Sequence, residues 1–125
     1  MKISVRAEID APDGEEKNRR EILVKDKVEY DKLPFDKYPI THGNKPKGIG
    51  VTLTDGHHEC EASFHRYGKD SRYGEVFYIG SAYKRLGSRD YTKKFRRFLE
   101  EVGTVDKGTF VNLEFEQYRL YISKI

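Results

Sequence analysis

Hydrophobic and polar residues alternate with a period of two along several short stretches of the chain. In residues 2–9, Ile3, Val5, Ala7 and Ile9 alternate with charged or hydroxyl side chains. Successive side chains of a strand point to opposite faces, so this pattern predicts a half-buried β-strand. Similar short apolar stretches predict strands over residues 21–24, 49–53, 60–64, 75–79, 111–115 and 119–122.

One segment shows helical spacing instead. Its apolar residues recur at intervals of four, three, one and three residues and form one stripe: Tyr91, Phe95, Phe98, Leu99 and Val102. Ser88 and Asp90 are each suited to cap its first amides, and Gly103 is suited to end it in the left-handed conformation. Residues 26–33 predict a short helix that Pro34 ends. Many short strands with one clear helix and one short helix predict a β-rich barrel or sandwich with helical plugs.

Length and composition limit the possible classes of protein. The 125 residues fit a single domain, residues 1–125. No apolar run approaches the about 20 residues that span a bilayer, and the N-terminus lacks the apolar stretch of a signal peptide, so we expect no membrane association. Cys60 is the only cysteine, which rules out an internal disulfide and a Cys-rich zinc site. We expect neither a cofactor nor a bound metal.

Basic residues concentrate in the second half of the chain. The formal net charge is only +3, but residues 65–97 contain ten Lys or Arg and three acidic residues. Tyr67, Tyr73 and Tyr83 lie among these cations. A second basic cluster, residues 17–20, follows an acidic turn. Such runs usually form a solvated face, whereas cations interleaved with aromatic residues are also typical of proteins that bind a phosphate backbone.

Several motifs, taken in chain order, carry a family resemblance. Residues 91–103 read YTKKFRRFLEEVG, residues 106–115 read DKGTFVNLEF and residues 120–122 read LYI. Upstream, residues 51–64 form a predicted hairpin, and residues 20–33 form a predicted strand and short helix. This order resembles the B3-type DNA-binding pseudobarrel, which occurs in plant transcription factors and in specificity or effector domains of some restriction endonucleases.

The resemblance implies a mainly β fold with some α structure, namely a seven-stranded open β-barrel (pseudobarrel) with one clear helix and one short helix. The chain has no tryptophan, and its turn reads Asp-Lys-Gly where plant members favour a Gly-Asp pair. These departures favour a prokaryotic, restriction-type member in the cytoplasm over a nuclear plant protein. The implied partner is double-stranded DNA. The chain would be a stand-alone binder, or it would target a nuclease domain of the same or another chain and have no catalytic activity of its own.

In this family, two loops at one edge of the barrel act as arms that grip the major groove. By position, the first arm is residues 10–20 and the second arm is residues 65–74. Arginine can pair with guanine in the major groove and asparagine with adenine. The candidate DNA-binding residues are Lys17, Asn18, Arg19, Arg20, Arg66, Tyr67, Lys69, Arg72 and Tyr73, with Lys45 and Lys47 as phosphate contacts. The helix cations Lys93, Lys94, Arg96 and Arg97 would either contact phosphate or face solvent.

Other chemistry has weaker sequence signals. His57, His58, Glu59 and Cys60 are metal-ligand types, but strand alternation sends Cys60 to the apolar face and Glu59 away from it, so no zinc site is predicted. Residues 78–81, YIGS, resemble half of the GIY-YIG nuclease signature; the nearest partner, residues 48–50, lacks the tyrosine. A GIY-YIG-like nuclease with Tyr78 as base is therefore one alternative; otherwise we expect Tyr78 to be an outward-facing residue of its strand. A small protein-interaction or inhibitor domain is another.

Overall fold

A computed structural model describes residues 3–34, 49–67, 76–81 and 89–125; for Tyr67, Arg89 and Asp90 it describes the backbone alone. The described residues form seven strands and two helices. The strands are β1 (Ile3–Asp10), β2 (Glu21–Val24), β3 (Ile49–Thr54), β4 (Glu59–Tyr67), β5 (Val76–Ser81), β6 (Phe110–Glu116) and β7 (Arg119–Lys124). The helices are α1 (Lys27–Asp31) and α2 (Arg89–Val102). Each predicted element is thus confirmed.

The strands form one barrel in the order β1-β2-β5-β4-β3-β7-β6. The β3–β7 pair is parallel, and the other pairs are antiparallel. The barrel is closed, whereas the sequence predicted an open one. It closes because β6 pairs with β1 along six positions, from Ile3↔Phe115 to Glu8↔Phe110. Neither strand is left as an edge with unpaired backbone groups.

The barrel interior is filled by the inward side chains of every strand. In β1, the alternating residues Val5, Ala7 and Ile9 are all buried, as the period of two predicted. Phe64 of β4 and Phe77 of β5 are among the largest fully buried side chains, and their ring centroids are 5.2 Å apart. This continuous apolar interior explains how a chain rich in charged residues can fold without a disulfide.

The two helices pack against different strands of the barrel, α1 against β1 and α2 against β4 and β5. α1 is capped by Asp26, whose side chain accepts hydrogen bonds from the Val28 and Glu29 amides, and it buries Tyr30. α2 buries Phe95, Phe98 and Leu99 of the predicted stripe. It packs on β4 and β5 and ends at Gly103, as predicted. Neither helix is long and apolar enough to cross a membrane, within the residues described.

Candidate nucleic-acid interface

The first arm is a compact loop that connects β1 to β2. The Gly14 amide donates to the Ala11 carbonyl over 3.0 Å, and the Lys17 amide donates to the Gly14 carbonyl over 3.1 Å. Gly14 has a φ of +112°, a backbone conformation that residues with a Cβ rarely adopt. Two successive turns therefore give the arm a defined backbone shape.

Arg20 holds this loop from the inside. Its side chain is buried, with 4% of the residue exposed. The guanidinium donates hydrogen bonds to the carbonyls of Glu15 (2.6 Å), Lys17 (2.6 Å) and Arg19 (2.9 Å), and to that of Val105 beyond α2 (2.9 Å). All three nitrogens are engaged by backbone carbonyls. Arg20 therefore shapes the arm and does not present its guanidinium to a base, in contrast to the role that the sequence suggested.

A helix cation also binds the arm. Arg96 of α2 donates through Nη1 to the Lys17 carbonyl over 2.8 Å and lies 3.4 Å from Asn18 Oδ1. Its Nε is 3.2 Å from Glu100 Oε1, one helical turn further on. The sequence analysis left two roles open for Arg96, contact with phosphate or exposure to solvent. The structure gives it a third role, because its hydrogen bond to Lys17 links α2 to the first arm. Lys93, Lys94 and Arg97 are exposed.

Lys17, Asn18 and Arg19 are exposed, and so are the acidic residues Asp13, Glu15 and Glu16 of the same loop. Arg19 forms ion pairs with Glu21 at 3.1 Å and with Asp13 at 3.6 Å, and 55% of its side chain is exposed. Burial raises the pKa of Glu21, and the nearby Arg19 charge opposes that rise. The exposed side chains of the arm thus include acidic as well as basic groups.

Only the base of the second arm lies in the described residues. β4 continues through Tyr67, which pairs with Val76, so Arg66 and Tyr67 belong to a strand and not to the loop that the sequence predicted. Arg66 is half-buried, and its Nε donates to the Tyr30 hydroxyl of α1 over 2.9 Å. The other predicted contacts lie outside the described residues: Lys45, Lys47, Lys69, Arg72, Tyr73 and the side chain of Tyr67.

The register shows where the two arms leave the barrel. Both are carried by four adjacent strands, β1-β2-β5-β4. The first arm starts beside the Asp10↔Glu21 pair, at the beginning of β2. The second starts beside Val76, which follows the Val24↔Phe77 pair at the end of β2. The arms therefore share one side of the barrel but leave its opposite ends, and the expectation that they leave a single edge is wrong. The reason is that β2 and β5 run antiparallel. The first arm precedes β2 and the second arm precedes β5, so the two arms leave opposite ends of the barrel.

The sequence analysis did not identify the outer face of β2, β5 and β4, which lies between the bases of the two arms. Tyr78 in β5 lies opposite His65 in β4 and opposite Leu23 in β2. The His65 and Tyr78 rings are stacked, with centroids 4.6 Å apart and planes within 9° of parallel. Strand alternation already indicated that Tyr78 points outward, but pairing between strands distant in sequence was needed to bring these residues together.

The structure gives the predicted metal-ligand types other roles. His58 Nδ1 is 3.0 Å from Asp55 Oδ2 within the β3–β4 turn. Cys60 packs against the core, as predicted, and burial raises the pKa of its thiol to about 11, so the thiol is protonated at neutral pH. Among the described residues, no three His, Cys, Asp or Glu side chains are grouped so that they could hold a metal ion.

The half signature of a GIY-YIG nuclease is not completed by a neighbouring strand. Tyr78 lies in β5, whereas residues 49 and 50 lie in β3, and β4 separates these two strands. The two halves of that signature should lie on adjacent strands of a hairpin. The described residues thus give this alternative no geometric support.

Comparisons of this chain with family models, with curated proteins and with solved structures found no match. Its function must therefore be inferred from the arms and from the face between them.

Proposed function

We propose that this chain binds double-stranded DNA in a sequence-specific way, with its two arms in the major groove on either side of the β2–β5 face. The proposal includes a single domain without catalytic activity of its own, either a stand-alone prokaryotic binder in the cytoplasm or the specificity or effector domain of a restriction enzyme. The order of the sequence motifs, which resembles B3-type domains, supports it.

The observation that carries the proposal is the spacing of the arms. The arm bases are separated by the length of β2, which has four residues, Glu21–Val24. At about 3.3 Å per residue, the four steps from Glu21 to the position beside Val76 span about 13 Å, close to the about 12 Å width of the major groove. Two loops that flank a strand of this length have the spacing needed to enter one groove from two sides.

The properties of the two arms also favour DNA. The first arm is held by Arg20 and Arg96, so binding would cost little additional loop ordering. Its exposed residues include Lys17, Asn18 and Arg19, and an asparagine and an arginine are suited to contact base edges. The second arm contributes Lys69 and Arg72 within the strongly basic segment 65–97. The exposed acids Asp13, Glu15 and Glu16 make the first arm a weak phosphate binder, so we assign to it the reading of base edges more than electrostatic attraction to phosphate.

The test is selection from a pool of randomised duplexes, followed by gel shifts of the full chain at about 50 mM and about 200 mM salt. We expect one enriched sequence, and an affinity that falls with salt by a slope of about 0.9 per phosphate contacted. The proposal would be overturned if no duplex were shifted at low salt. A stable complex with a protein in place of DNA would then favour the interaction-domain alternative.

Two variants test the base-reading role of the arms. We expect Asn18→Ala and Arg72→Ala each to weaken binding to the selected duplex by about 1 to 3 kcal/mol, with a smaller loss on random duplexes. Lys124→Ala is the matched control, because it removes an exposed charge from β7, a strand that carries neither arm. Equal losses on selected and random duplexes would contradict base reading by these residues.

A further inference from the structure

Three half-buried side chains form a row on the outer face of the barrel, between the two arm bases. Leu23 lies opposite Tyr78, and Tyr78 lies opposite His65. Their chain neighbours point into the barrel and are buried, namely Ile22, Val24, Phe64, Phe77 and Ile79. We call Leu23, Tyr78 and His65 the central strip.

The two aromatic members of the central strip hold each other in a fixed orientation. The His65 and Tyr78 rings stack face to face at a centroid distance of 4.6 Å. His65 Nε2 also lies 3.3 Å from Ser63 Oγ, a side chain on the same face of β4. Side chains with an apolar body and a polar tip are typical of surfaces that contact another molecule, because they bury area and still form hydrogen bonds.

We propose that the central strip contacts DNA, with the Tyr78 hydroxyl and the His65 imidazole hydrogen-bonded to phosphate oxygens of the duplex held between the arms. This inference rests on the proposed function, because only a duplex gripped by both arms must cross this face. β2 and β5 are the strands that separate the arm bases, and Leu23 and Tyr78 are their paired outward residues. Tyrosine is a common phosphate donor that positions the duplex without reading sequence.

The principal experiment compares Tyr78→Phe with the wild type in gel shifts on the selected and on random duplexes, in the presence of a metal chelator. The variant keeps the ring and its stack, so the fold is retained and only the hydroxyl is lost. We expect the affinity to fall by about 2-fold to 10-fold, the range of one hydrogen bond. The loss should be equal on the selected and random duplexes. Because a neutral donor releases no counterion, the salt slope should not change.

Tyr121→Phe is the matched control. Tyr121 is a half-buried outward residue of β7, three strands away from both β2 and β5 around the barrel. Removing its hydroxyl should leave DNA affinity unchanged. His65→Gln, which keeps a hydrogen-bonding side chain but loses the ring, tests the second member of the pair and should reduce the affinity by a similar factor.

A second measurement reports contact directly. The imidazole signals of His65 and of His57, in the β3–β4 turn, are followed by NMR as duplex is added. The His65 signal should shift, and the His57 signal should not.

The outcomes separate this inference from the proposed function. If the wild type shifts no duplex, both fail. If the wild type binds and Tyr78→Phe binds equally well, with His65 signals unmoved, the central strip does not contact DNA and the proposed function remains. A loss confined to the selected duplex would overturn the phosphate assignment in favour of base contact.

Discussion

Single arginines of the same cluster have different environments, and this determines what each can do. Arg19 and Arg20 are adjacent in sequence, but 55% of the Arg19 side chain is exposed and 4% of Arg20 is exposed. Arg19 pairs with carboxylates, and Arg20 donates to four backbone carbonyls, one of which, that of Lys17, also accepts from Arg96. A cation in a basic cluster is thus a candidate ligand contact only if its donors are accessible.

We predict that Arg20→Met lowers the free energy of unfolding by about 2 to 3 kcal/mol, because it removes a buried guanidinium that donates to four backbone carbonyls. Urea denaturation measures the loss. Arg19→Met, which removes an exposed ion pair, should change stability by no more than about 1 kcal/mol. Hydrogen exchange at the Lys17 amide should accelerate in Arg20→Met alone. Equal stability of the two variants would contradict the structural role of Arg20.

At the scale of the elements, the end of α2 depends on one glycine. Gly103 has a φ of +84°, and the Leu99 carbonyl accepts from both the Gly103 amide (2.9 Å) and the Thr104 amide (2.8 Å). This geometry turns the chain from α2 towards β6. The same connection carries the Val105 carbonyl that binds Arg20, so the helix end also supports the first arm.

Gly103→Ala should therefore destabilise the protein by about 1 to 2 kcal/mol, the cost of a Cβ in the left-handed region. A Cβ there would meet only Lys124 Nζ closely, at 3.0 Å, and that flexible side chain can move. Gly50→Ala in β3 is the control, since no heavy atom lies within 4 Å of its added Cβ. Thermal unfolding compares the two; similar losses would show that the backbone conformation of Gly103 is not the cause.

The β3–β4 turn joins α2 through a titratable side chain. His58 Nδ1 bonds to Asp55, and His58 Nε2 lies 3.8 Å from Glu101 Oε2 of α2. The hydrogen bond with Asp55, together with the charges of Asp55 and Glu101, raises the pKa of His58 above 6.5. The stabilisation is therefore complete below about pH 6.5 and is lost as the pH rises through the raised pKa of the folded state.

We predict that His58→Gln lowers the Tm relative to the wild type at about pH 5.5, and that the difference shrinks by about pH 8.5 as the wild-type imidazole loses its proton. His57→Gln, an exposed neighbour in the same turn, should show no such pH dependence. An equal Tm difference at both pH values would exclude the ion pair as its source.

At the scale of the whole molecule, closure of the barrel determines which strands are protected. Residues 3–7 of β1 pair with β6, and the pairing of β1 with β2 begins only at Glu8. In an open barrel these residues would form a free edge. The strand order also places both arms on one side of the barrel, because the four strands that carry them are adjacent and lie opposite β7.

Closure predicts that the alternate amides of residues 3–7 that point to β6 exchange with solvent about as slowly as the amides of the central strands. Native-state hydrogen exchange measures this directly. Rapid exchange throughout residues 3–7 would show that β1 and β6 separate in solution and that the barrel opens there.

The sequence by itself determined the elements and their faces. The alternation in β1, the stripe of Phe95, Phe98 and Leu99 and the stop at Gly103 are local patterns, and local backbone geometry makes them readable over a few residues. The same patterns predicted that Cys60 packs inward and that Tyr78 points outward. They also predicted a β-rich barrel or sandwich with two helices, because such faces must be covered by one another.

Tertiary structure alone decided that β6 pairs with β1 and that the two arms leave opposite ends of the barrel. It also decided the hydrogen bond from the buried Arg20 to the carbonyl of Val105, a residue 85 positions away. It also brought His65 next to Tyr78 and Arg96 next to Lys17. Each of these features is a contact between segments whose separation in sequence carries no periodic signal. Local patterning determines which face of an element is buried, but the partner that covers it follows from closing the whole sheet around one core.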